Sequence, residues 1–177
     1  MYKRQIKYGG QDAYEAVKKE YSNTTSVDGR EICLGSMGQV QSLELAKDYL
    51  DFGFESNLVT IQDVHSVGAS LANNSKVRPE VWTFIKGNFP MLRERLGGNM
   101  VVLERFLRMT LMKYNDTAVE KEIEAFFKDK DNAGYDRGLA VALDTIRGNA
   151  AYKARDAGVI KEWLSACLLY TSPSPRD

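Results

Sequence analysis

One histidine, His65, and two cysteines, Cys33 and Cys167, are all that this 177-residue chain holds of the side chains most used for transition metals. A tetrahedral zinc site of the HExxH type needs two imidazoles at i and i+4, and one His with two distant Cys does not replace them. Catalytic triads fare little better. Ser66 is the immediate neighbour of His65, and Asp63 lies two residues before it on another face of the helix. Two thiols without a CxxC make no disulfide framework and fit a reducing compartment, so a cytoplasmic location is expected. The 24 basic and 24 acidic residues cancel. No overall field then draws the chain to nucleic acid or to an anionic membrane. No window approaches the roughly 18 apolar residues of a membrane span. The basic start MYKRQIKYGG lacks the apolar core of a signal peptide. Period-2 alternation of a convincing length is missing too, which argues against a sheet.

What is present is helical periodicity. With 44% hydrophobic and 27% charged residues the composition is that of a soluble globular protein. The stretch Thr60 to Phe89 carries the organisation. Val64, Val67, Gly68 and Leu71 line one face of a first helix opened by Thr60 and Asp63. A turn follows at Asn73, Asn74 and Ser75. Pro79 suits the first turn of a second helix, on which Trp82, Ile85 and Phe89 share a side. The other spacings predict a helix from Gln11 to Tyr21 after a stop at Gly9-Gly10, then a short one opened by Asp28 and Glu31 and ending near Gly38. Further helices are expected from Ser42 to Phe52 with Gly53 as its stop, from Pro90 to Gly97, and from Asn99 through Leu111. The last three begin at a Thr117/Glu120 capping box, run over Leu139 to Ile146 up to Gly148, and restart near Asp156 with Val159, Ile160, Trp163 and Leu164. About nine helices on short turns imply an all-α fold without a sheet, a HEAT-like α-solenoid of stacked αα-hairpins.

Residues 1–166 form the helical domain, and a disordered tail, 167–177 (CLLYTSPSPRD), breaks the pattern in the manner of a translated sequencing-adaptor artefact. The glycine-bearing segments Leu34 to Gly38 and Arg95 to Gly98 follow helices, so they read as helix stops and not as phosphate loops. Trp82, Phe84, Phe89, Phe126, Phe127 and Trp163 fall at helical spacing and are expected in the core. Glu122 and Glu124 belong to a solvated face. No residue is assigned to catalysis, to a cofactor or to a metal. The one mildly basic neighbourhood includes Arg78, Arg93, Arg105 and Arg108, the candidates for holding a peptide carboxylate if they share a concavity. Ile6 and Val17 at one end and Trp163 at the other suggest uncovered end faces.

The segments YGGQDAYEAVKKEY, ICLGSMGQVQSLELAKDYLDF, IQDVHSVGASLANNSKVRPEVWTFIKGNFPML, IEAFFKDKDNAGYDRGLAVALDTIRGNAAY and IKEWL run in order from about Tyr8 to Ala166. Together they resemble the C-terminal helical domain of the zinc metalloaminopeptidases, which include aminopeptidase N, puromycin-sensitive aminopeptidase and the endoplasmic-reticulum aminopeptidases. The wording is most similar to the fungal cytosolic branch. Gln62-Asp63, Asn73, Trp82 with Phe84-Ile85, Phe126-Phe127, and Ile146 with Asn149 carry most of the likeness.

The resemblance implies a parent enzyme whose zinc sits in an upstream catalytic domain and which removes N-terminal residues from peptides. Its upstream catalytic and β domains and its peptide substrate are then the partners. The present segment is the helical cap that closes the substrate chamber, with no cofactor of its own and no activity alone. Some relatives carry an arginine after the second segment's Leu-Gly that meets a peptide carboxylate; Ser36 stands there instead. The alternative, from the αα-hairpins alone, is a free-standing helical-repeat scaffold for a protein or peptide.

Overall fold

The computed structural model describes residues 2–170, with side chains described through Cys167. Within these residues the secondary structure is helical: α1 (Tyr2–Asn23), α2 (Val27–Met37), α3 (Leu43–Phe54), a 3-10 turn (Ile61–Asp63), α4 (Val64–Asn73), α5 (Arg78–Leu96), α6 (Met100–Leu111), α7 (Thr117–Phe127) and α8 (Asp136–Tyr170). No helix among them is long and apolar enough to cross a membrane. Of the expected tail, residues 167–170 continue α8, and 171–177 lie outside the described residues.

The helices stack in two rows. α2, α4, α6 and α8 lie side by side with their backbones close, while the odd row, α1, α3, α5 and α7, is joined more through side chains. A glycine sits at each contact of the even row. A Cβ on Gly38 would fall 2.5 Å from Ser70 of α4, one on Gly68 would meet Phe106 at 2.6 Å and Thr110 of α6, and one on Gly138 would strike Glu104 of α6. Backbones can therefore approach closely along this row. The even row is thus the more tightly packed side of a solenoid-like stack.

Two asparagines tie the even row at matching places. Asn74, at the end of α4, donates its Nδ2 hydrogens to the carbonyls of Gly38 (3.1 Å) and Val40 (2.6 Å) just past α2. Asn149 of α8 donates in the same way to Met112 and Tyr114 just past α6, both at 3.2 Å. Each amide satisfies carbonyls that a helix end leaves without an internal partner. Between the rows, Phe54 meets Phe106 edge-on at 5.2 Å; within the odd row, Trp82 and Phe89 of α5, Phe126 and Phe127 of α7, and Tyr135 just before α8 form one cluster of mostly edge-to-face rings. Each such pair adds about 0.5–1.5 kcal/mol beyond its buried area.

Several expected boundaries shift, each for a local reason. The break expected at Gly9-Gly10 falls at Gly10, whose φ of 62° suits glycine and divides α1 into two helical runs. Ser26, not Asp28, caps α2 by accepting from Gly29 N, and Asp116, not Thr117, caps α7 by accepting from Ala118 N. Glu120 consequently turns inward to Arg147, 2.6 Å away. Gly53 is no stop but a point of contact, where a Cβ would lie 2.9 Å from Val67. The restart expected at Pro90 is present as a kink: Asn88, outside helical geometry and donating to Phe84 O at 3.0 Å, divides α5 into two helical runs, the second with Pro90 in its first turn. Gly148 does not end a helix. α8 is a single helix of 35 residues, because nothing forces Gly148 out of helical geometry and alanines at 140, 142, 150, 151, 154 and 157 favour continuation. The start of the stack is also better covered than expected, since α2 packs on α1 and leaves Ile6 and Val17 buried. At the other end Trp163 is 64% exposed, not in the core.

Candidate functional site

The even row has a solvent-exposed side, with Ile32 on α2 and Val101 on α6. Between α2 and α4 it holds a groove of about 610 Å³, with Glu31, Ile32 and Gly35 on one wall and Ser66, Ala69 and Asn73 on the other. Its lining mixes small residues with polar and charged ones, Lys3, Asp28 and Gln39 among them. Ser36, the next residue along α2, is buried and faces away from it. Farther along the row Arg105 and Val101 are exposed on α6, whose opposite face, with Leu103, Phe106 and Leu107, is in the core.

The four arginines singled out from sequence stand on two helices, α5 and α6, and have different partners. Arg78 and Arg93 stand 15 positions apart on α5, about 22 Å along the axis at 1.5 Å per residue. Arg78 donates from Nε to Ala72 O at 2.5 Å and stacks over Tyr114. Arg93 pairs with Asp131 at 2.7 Å, and Arg108 with Glu104 at 2.7 Å. Among the described residues Arg105 has neither an ion pair nor a side-chain hydrogen bond and is exposed. It is the member of the set with a guanidinium to offer.

Around His65 the geometry assigns each group to its own neighbour. Nδ1 lies 2.7 Å from Gln62 O and donates to it, while Asp63 Oδ2 accepts from the Thr60 hydroxyl at 2.6 Å. Neither hydrogen-bonds the other, so no base is oriented toward Ser66. Among the described residues no three His, Cys, Asp or Glu side chains cluster in a way that could hold a metal ion. Burial pushes the Cys33 thiol above its ordinary value, which leaves it a packing group and not a nucleophile. A polar cluster missed from sequence joins the first two helices of the odd row: Tyr14 OH and Lys18 Nζ both donate to Asp48, at 2.6 and 2.7 Å. Its signal, Tyr14 and Lys18 one turn apart, becomes readable only when α3 brings Asp48 from 30 positions away.

A family model described as the ERAP1-like C-terminal domain matches residues 1–148. The chain is 27% identical over 160 residues to Aminopeptidase 2 of Candida albicans, an alignment covering 90% of this chain and 17% of that protein. It is 26% identical over 156 residues to the alanine/arginine aminopeptidase of Saccharomyces cerevisiae, covering 88% and 18%. With human aminopeptidase N it shares 21% over 168 residues, covering 93% and 17%. The chain thus spans less than a fifth of the length of the curated relatives it matches.

Proposed function

Since the chain belongs to the family of ERAP1-like C-terminal domains, we propose that it is the C-terminal helical part of a zinc aminopeptidase that removes N-terminal residues from peptides. In this reading the HEAT-like arch closes the substrate chamber and contacts the peptide, while upstream catalytic and β domains of the same polypeptide do the chemistry. The observation that carries it is the match over residues 1–148 to a domain whose relatives named above are all aminopeptidases. The donor set here does not fit a zinc ion: His65 is the sole imidazole and its Nδ1 is engaged by Gln62 O. The metal would be held elsewhere in the parent. Cytoplasmic location is part of the same proposal.

Peptide contact falls first to Arg105, which can meet a C-terminal carboxylate; Arg78, Arg93 and Arg108 would each have to give up an internal partner. The exposed Val159, Trp163 and Leu164 weigh against a free-standing scaffold, whose end helices need polar outer faces. The test is the coding sequence. A transcript extended upstream of Met1 should encode HExxH with a downstream Glu, and one that extends upstream without that motif overturns the reading. At the protein level, the purified chain should leave aminoacyl-4-nitroanilides uncleaved with added zinc; turnover that disappears in His65→Ala would contradict it.

A further inference from the structure

The second half of α8 leaves the body of the stack. From Tyr152 onward nearly every described side chain on it is exposed, including Val159 (67%), Trp163 (64%), Leu164 (50%) and Ile160 (40%). The face that points back toward the core earlier in α8, through Leu139, Ala142, Ile146 and Ala150, continues here as Ala157, Ile160 and Leu164 with nothing over it. Against it stands the α6–α7 connection, held in place by the two Asn149 hydrogen bonds to Met112 and Tyr114. The result is a mainly apolar groove of about 550 Å³, open along the helix axis.

Its rim has one sign of charge. Lys113 from the connection and Lys153 and Lys161 from α8 line it, and no acidic side chain does. Of the two acids on this part of the helix, Asp156 is held by Arg155 at 2.8 Å, and Glu162, like Asp156, does not line the groove. None of the three lysines has an ion pair among the described residues. We propose that this groove is the docking site of a partner helix that carries an apolar stripe flanked by Asp and Glu. Ile160 and Leu164 receive the stripe, Tyr152 closes one end, and the lysines meet the acidic flanks. A second copy of this chain does not fit, because twofold pairing of the same faces sets lysine against lysine. The inference stands apart from the aminopeptidase reading, since it uses only the groove and its rim.

The test uses the full 177-residue chain and two synthetic helical peptides of about 18 residues, with the same leucine stripe and either Glu or Lys flanks. Trp163, exposed one turn from Ile160, reports binding, whereas Trp82 is buried. Expected are a saturable blue shift with the Glu-flanked peptide, an affinity at least about tenfold above that of the Lys-flanked one, and weakening with salt. Changing Lys113, Lys153 and Lys161 together to Glu should invert the preference. The single exposed changes Lys153→Glu and Lys161→Glu each lower it, which keeps the test decisive if the triple variant does not fold. Equal affinity for both peptides, no binding of either, or a dimer in sedimentation equilibrium that Leu164→Lys dissolves would overturn the proposal.

Discussion

At the scale of single residues the stack depends on a few positions whose neighbours leave no choice. Gly68 is one: any side chain there drives into Phe106 and Thr110 across the tightest contact of the even row. Gly68→Ala should cost about 1–3 kcal/mol, the usual toll of overpacking, read as a lower urea midpoint. Gly148→Ala is the internal control. It meets open space within an exposed helical turn, and should stabilise by roughly 0.5–1 kcal/mol through helix propensity. Loss of stability in both would show that packing at Gly68 is not what matters. Asn74→Ala and Asn149→Ala each strip two carbonyls of a donor; about 1–3 kcal/mol per site is expected where those carbonyls stay dry, again from denaturant midpoints.

Asp48 supplies the acid dependence. Burial pushes its carboxyl up, but hydrogen bonds from Lys18 and Tyr14 outweigh that and hold it below the ordinary value of 3.8. With the folded value depressed, its contribution is complete above about pH 5 and is lost as pH falls through the folded value. The Asp48 side chain is 44% exposed, so solvent screening keeps this pair near 1 kcal/mol or less. Asp48→Asn should therefore lower stability slightly at neutral pH and flatten the decline below pH 4. Unchanged acid slopes in paired urea titrations would remove Asp48 from the account.

At the scale of elements, α4 was readable from a stripe that repeats at helical period, and α6 and the start of α5 also from Asn99 and Pro79 at their ends. Boundaries drawn from glycine alone were less so. Gly53 and Gly148 have the same local signature, yet one answers to Val67 across an interface and the other to nothing at all. Only the partner helix distinguishes them. Pro90 reads as a start, and a second helical run of α5 does begin there, past the non-helical Asn88. The candidate site suffered more, because Arg78, Arg93 and Arg108 look equally available in sequence and are each claimed by a group 4 to 38 positions away. Element-level independence gives a further test. Since α8 past Ala150 adds little buried surface, a chain ending at Lys153 should unfold within a degree or two of the whole one, where about 1 kcal/mol moves Tm by only a few degrees. A large drop in calorimetry would mean that the overhang is packed.

For the whole molecule the row arrangement sets where the structure opens first. α4 and α6 have even-row neighbours on both sides, and α4 also meets α3 and α5. α8 past Tyr152 has none beyond the groove wall. In a stack whose units are stabilised by nearest neighbours, opening starts at the ends and the interior goes last. Amides of α4 and α6 should exchange most slowly, and those of residues 153–165 fastest, since a helical segment of that length is marginal in water without a partner. The Glu-flanked peptide then has a specific effect: it should slow exchange in 153–165 while leaving α1 to α3 as they were, because the added contact is confined to one end of the stack. Protection that spreads evenly along the chain would mean that the stack behaves as one rigid cooperative unit, and the two-row description of its energetics would have to give way.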